Sequence, residues 1–144
     1  MSFDLFYQPV RFGPLDPSET QAVRNVLARQ GRGPDEHACW VVSMADGGSA
    51  EVFGSELHDG CMVAIGGLTT DLLAFLYELL DAADWVVLPT SEEPLAIAAR
   101  PTAEQSKPEG FPDVVVCGSP EELGELLRGG VDTWRRYRNN VLPS

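Results

Sequence analysis

Apolar positions along the chain fall into short blocks, some alternating and some at helical intervals, with turn residues between them. The opening Phe3-Asp4-Leu5-Phe6-Tyr7-Gln8-Pro9-Val10-Arg11-Phe12 is aromatic-rich and partly alternating, the pattern of a strand. Pro9 predicts an edge or a bulge there, because proline has no N–H to give to a ladder. Gly13-Pro14 ends the block. Asp16-Pro17-Ser18-Glu19 predicts a helix start: a side chain able to cap, proline at the first helical position and an acid at the third. Ala22, Val23, Val26 and Leu27 share one stripe of that helix, Arg24 and Arg29 lie off it, and Gly31 is the expected stop.

Two β-favouring runs follow, Cys39–Met44 and Ala50–Phe53, and the Asp46-Gly47-Gly48 between them predicts a hairpin. Met62–Ile65 is a third strand after the turn at His58-Asp59-Gly60. Gly66-Gly67 leads into a second helix capped by Thr69 or Thr70, with Leu72, Leu73, Leu76, Leu79 and Leu80 facing the core. Trp85–Leu88 resumes strand, Pro89 to Pro94 is an acid-rich turn, and Leu95–Ala98 is its hairpin partner. Pro101 to Pro112 reads as loop, Val114–Cys117 as a last strand, and Ser119-Pro120-Glu121-Glu122 as the start of a third helix. The expected order is β-α-β-β-β-α-β-β-β-α. Hairpins outnumber crossovers, which predicts one α+β domain over residues 1–144, with a largely antiparallel sheet and its helices on one face.

Charge changes this picture more than composition does. Between Arg32 and Arg100 there is no lysine or arginine, whereas the same stretch carries twelve carboxylates. Most of the formal charge of −12 comes from that block. Its field repels nucleic acid and anionic lipid and attracts a basic protein. The one basic place is the end of the chain, where Arg128, Arg135, Arg136 and Arg138 flank Trp134 and Tyr137. Pairing of that segment with the acidic face is expected, within the chain or across a homodimer. The longest apolar run, from Asp71 to Asp81, is too short to span a bilayer. The first residues have neither a basic nor an apolar signal region, so a cytoplasmic home is expected. Cys39, Cys61 and Cys117 sit in apolar runs without disulfide spacing and read as reduced, buried side chains.

Chemical motifs are few. His37, Cys39, His58 and Cys61 could in principle converge on a metal, but their spacing matches no familiar zinc pattern, and no cofactor is expected. Any nucleophilic triad would have to use His37 or His58, and there is no Gly-x-Ser-x-Gly elbow. Gly66-Gly67-Leu68-Thr69-Thr70 could cradle an anion at a helix start, but the lysine of a phosphate loop is missing. No catalytic residue is assigned.

The opening Met1-Ser2-Phe3-Asp4-Leu5-Phe6, the capped helix, the Asp-Gly turn and the Ala50-Glu51-Val52-Phe53-Gly54 strand together resemble a large group of small acidic bacterial proteins. Some of these are similar to immunity proteins of contact-dependent or secreted toxin systems. The resemblance implies a cytoplasmic inhibitor of a toxin domain, often a basic nuclease. The carboxylates expected to meet such a partner are Asp46, Glu51, Glu56 and Asp59 around the hairpin, with Glu92 and Glu93 as a second group. Two other readings compete: a small-molecule-binding domain or small enzyme with a site near His37 or His58, and a homodimeric adaptor.

Overall fold

The computed structural model describes residues 3–10, 14–54, 57–89, 96–105, 108 and 114–128. Strands β1 (Phe3–Pro9), β2 (Gly31–Arg32), β3 (Cys39–Ser43), β4 (Ser49–Phe53), β5 (Cys61–Ile65), β6 (Trp85–Pro89), β7 (Ala96–Ala98) and β8 (Val114–Val116) form one sheet in the order β2-β3-β4-β5-β1-β6-β7-β8. Every neighbouring pair is antiparallel except β7 and β8, which run parallel. The helices are α1 (Pro17–Gln30), α2 (Thr70–Asp81), α3 (Pro101–Gln105) and α4 (residues 120–128). The α+β class and the largely antiparallel sheet are as the sequence predicts.

The sequence signals work locally for understandable reasons. Asp16 caps α1 by accepting from the Glu19 amide at 2.9 Å, with Pro17 at the first helical position. Thr69 caps α2 through the Leu72 amide, and the Ser119 hydroxyl accepts from Glu122 N at 3.2 Å to start α4. The α2 stripe buries Leu72, Leu73, Phe75, Leu76, Leu79 and Leu80. Each such side chain is worth about 1.5–3 kcal/mol of transfer free energy, against about 1 kcal/mol for a cap. Packing, more than capping, therefore holds α2 in place.

Four expectations need correction. Pro9 does not put β1 at an edge: β1 is central, with β5 on one side and β6 on the other. Pro9 is tolerated because it is the last residue of the strand, where pairing with β5 has already ended at Tyr7 and Cys61. A two-residue strand, β2, continues directly from α1, so Gly31 is an extended C-cap (φ −129°) rather than a left-handed stop. The segment from Pro101, read as loop, begins with the short helix α3. Finally, the helices are not all on one face. Residues of α1, α2 and α4 share a core with Leu5, Tyr7, Trp40, Val52, Val63 and Trp85, whereas Ala103 of α3 packs with Val86, Ala96, Ala98 and Val114. Alternate residues of a strand point to opposite faces, so α3 lies on the far side of the sheet.

Tyr7 and Trp85, both fully buried, stand at the centre with ring centroids 5.3 Å apart. Each satisfies its polar atom on α2: the Tyr7 hydroxyl donates to the Leu76 carbonyl at 2.9 Å, and the Trp85 indole N–H donates to that of Leu79 at 3.1 Å. The middle strands are thus tied to one helix by both packing and hydrogen bonds.

Candidate functional site

Asp46 lies in the turn between β3 and β4, where Gly47 adopts φ +92°. Its carboxylate is exposed but occupied. One oxygen accepts from the Gly48 amide at 3.1 Å, and the other accepts from the Asp71 amide at 2.9 Å, in the first turn of α2. Those amides hold the carboxyl below the ordinary aspartate range, with the Asp71 bond the largest cause. Asp46 is therefore a second cap on α2 that pins the hairpin to the helix. It also fills the place an anion would take at that helix start, which removes the phosphate reading of Gly66-Gly67.

Glu51 is exposed in the middle of β4, on the sheet face opposite α1 and α2, opposed by Val41 on β3 and Ala64 on β5. Asp59 is exposed in the 3-10 turn Leu57–Asp59. Glu56, Glu92 and Glu93 lie outside the described residues. Among the described residues, Asp46 belongs to the hairpin tip and α2, Glu51 to the sheet face and Asp59 to the 3-10 turn.

Several other acids of the block are engaged from just outside it. Arg29 of α1 pairs with Glu78, to which Gln30 also donates at 3.2 Å. Arg100 reaches Asp81 at 3.6 Å and Asp84 at 3.8 Å, and Thr102 donates to Asp84 as well. Glu19, nearly buried at 9 % exposure, accepts from the Asp84 amide. Asp35 accepts from the amides of Cys39 at 3.0 Å and His37 at 2.8 Å, which lower its pKa, and so orders the loop into β3. Flanking arginines and backbone amides thus engage Asp35, Asp46, Glu78, Asp81 and Asp84, whereas Glu51 stands exposed on the sheet face.

Among the described side chains, His37 and the cysteines are not brought together. His37 is exposed in the turn before β3, beside Glu36 at 3.5 Å. The side chain of His58 lies outside the described residues. Cys39 shares a face with Phe53 and Met62 through the strand register, whereas Cys61, the neighbour of Met62, points into the core on the other face. A single ion cannot bridge those two thiols. Burial pushes Cys61 up to about 12, and Cys117 likewise to about 12, far from the range of a ligand or nucleophile. A cleft of about 220 Å³ lies between α1, β3 and the 3-10 turn, lined among the described residues by Arg24, Pro34, Trp40, Gly54 and Leu57. Neither a carboxylate nor an imidazole is in that lining.

The sequence reading passed over the apolar side chains that face outward beside Glu51. Val41 is 46 % exposed and Phe6 43 %. The signal was available: once Trp40 and Val42 are assigned inward, alternation forces Val41 out, and with Leu5 and Tyr7 inward Phe6 must follow. No family model, curated protein or solved structure matches the chain.

Proposed function

We propose that the chain is a non-catalytic acidic binding protein, most concretely an immunity-like inhibitor of a basic toxin protein, working in the cytoplasm. The observation that carries this reading is the charge distribution: a net −12, with twelve carboxylates and no cation between Arg32 and Arg100. A field of that sign steers a cationic protein into encounter and rejects nucleic acid and anionic membrane. Among the described residues no helix is long and apolar enough to cross a membrane. The cleft beside Trp40 gives the small-ligand reading less support, since its volume of about 220 Å³ falls below the roughly 300–1,000 Å³ usual for ligand pockets.

The test is co-expression. The tagged chain is used to capture partners from its source cells with a salt-step elution, and each stoichiometric basic protein is then expressed with and without the chain. A protein that arrests growth alone and is harmless with the chain establishes the inhibitor. Capture of the chain by itself alone moves the reading to a homodimer. Salt matters to the design, because steering between exposed charges is largely screened beyond about 8 Å at physiological ionic strength.

A further inference from the structure

Among the described residues, the sheet face opposite α1 and α2 is closed over one half and open over the other. Across β6, β7 and β8 it is sealed by α3 through Ala103. Across β3, β4, β5 and β1 no described element covers it. The registers align the outward side chains in two rows. One row runs Cys39, Phe53, Met62, Phe6 across four adjacent strands and ends at Leu88 on β6. The other runs Arg32, Val41, Glu51, Ala64, Asp4. Phe6 and Val41 are the large apolar side chains most exposed among the described residues, and Phe53, Met62 and Ala64 beside them are only half-buried. A solvated sheet face ordinarily carries polar residues at such positions.

Charge selects the occupant. Four strands about 4.8 Å apart and about five residues long at about 3.3 Å each present roughly 300 Å². A patch of that size on a monomer is commonly functional. A second copy would bring a further −12 against the first. A cationic partner reverses that repulsion and meets the exposed Glu51 in the middle of the second row.

We propose that this open face is the docking surface for a cationic protein: an apolar anchor seats among Phe6, Val41, Phe53 and Met62, and an adjacent lysine or arginine engages Glu51. The inference rests on the reading of the chain as an acidic binding protein and adds the surface and the kind of anchor. Buried apolar anchors ringed by polar contacts dominate the energy of most interfaces, and here the apolar row runs directly beside the charged one.

Two experiments on the full chain separate the surface from the reading. In the first, backbone amide resonances are followed while the tripeptide Lys-Trp-Lys is added, with Glu-Trp-Glu as control. The expected shifts centre on Phe6, Val41, Glu51 and Met62, at least threefold weaker for Glu-Trp-Glu. In Val41→Arg and Glu51→Lys, whose side chains point to solvent and should leave the melting curve in place, they fall at least threefold. Shifts confined to Asp71 and the 3-10 turn, or equal response to both peptides, would overturn the surface. In the second, a photo-crosslinking phenylalanine is placed at position 6, 41 or, as a control on the exposed side of α2, 74. Crosslinks from 6 and 41 to a basic protein captured from source cells support the proposal. Capture with crosslinks from 74 alone overturns the surface and leaves the binding reading standing. Crosslinks between two copies hand the face to a homodimer and overturn the proposal. Failure to capture any basic protein removes the reading, and the proposed partner with it.

Discussion

Tyr7 joins the central strand to both Trp85 and α2. Its ring meets that of Trp85 at a tilt of 55°, and its hydroxyl bonds to the Leu76 carbonyl. Burial, and then the nearby Cys61 and Cys117, push its pKa far above the ordinary tyrosine value, so its hydroxyl stays protonated and donating across the accessible pH range. Tyr7→Phe removes the donor and little volume. Urea denaturation should show a loss of about 1–2 kcal/mol, the usual cost of deleting one partner of a buried hydrogen bond. An unchanged midpoint would mean that the hydroxyl contributes nothing. Ala38 is the opposite case, a non-glycine residue at φ +57° that closes the loop into β3. The left-handed region costs an L-residue about 1–2 kcal/mol, part of which glycine gives back through its freer unfolded chain. Ala38→Gly should therefore raise stability by roughly 0.5–1 kcal/mol on the same assay, by the balance of those two terms.

Elements in this protein are fastened to each other by caps that belong to two places at once. Asp46 closes a hairpin turn and caps a helix, and Glu19, in the first turn of α1, accepts from the Asp84 amide ahead of β6. Because the folded pKa of Asp46 is depressed, its contribution is fully present above the ordinary aspartate value and lost as pH falls through the folded value. Asp46→Asn should lower the melting temperature by a few degrees at neutral pH, and the gap from the parent should close on acidification below about pH 4, near the reference carboxylate pKa. A gap that stays constant down to pH 2 would contradict a carboxylate cap. These links mark where the sequence could be read and where it could not. Asp16, Thr69 and Ser119 were legible as caps because their partners lie three residues away. Asp46 and Asp71 lie on different elements, so Asp46 read as a surface acid. Strand β2 was invisible for a related reason, since Gly31 and Arg32 are extended only because Val41 and Val42 pair with them.

At the scale of the molecule, the acidic block was plain in the sequence, but its internal neutralisation was not. Arg29 and Arg100 bracket the block in the chain and return to it in space, through the packing of α1 on α2 and through the loop after β7. The open sheet face was legible in principle from strand parity. Its extent was not, because that depends on α3 covering only β6 to β8. The three cysteines offer a test of the whole. All three are buried, at 7 % exposure for Cys39, 8 % for Cys61 and 0 % for Cys117, and burial raises the Cys61 and Cys117 thiols to about 12. In the native chain a disulfide-exchange reagent at pH 8 should react slowly with all three, and with Cys61 and Cys117, whose thiols are raised to about 12, only through global unfolding. That would slow them at least about a thousandfold relative to the denatured chain, as expected for a domain stable by 5 kcal/mol or more. Rapid modification of Cys61 by peptide mapping would mean that the sheet centre opens on its own.

The position of β1 has a consequence for how the chain is made. It emerges from the ribosome ahead of both strands that flank it, and its Pro9 waits for Trp85. Until then the β2–β5 half carries an incomplete margin. The β6–β8 half, when it arrives, meets the other only through this one strand. The two halves cannot form a continuous sheet without it, so folding of the sheet as a unit is deferred until β6 has been made. A short strand thus acts as the keystone of the sheet, made before both of the strands it joins.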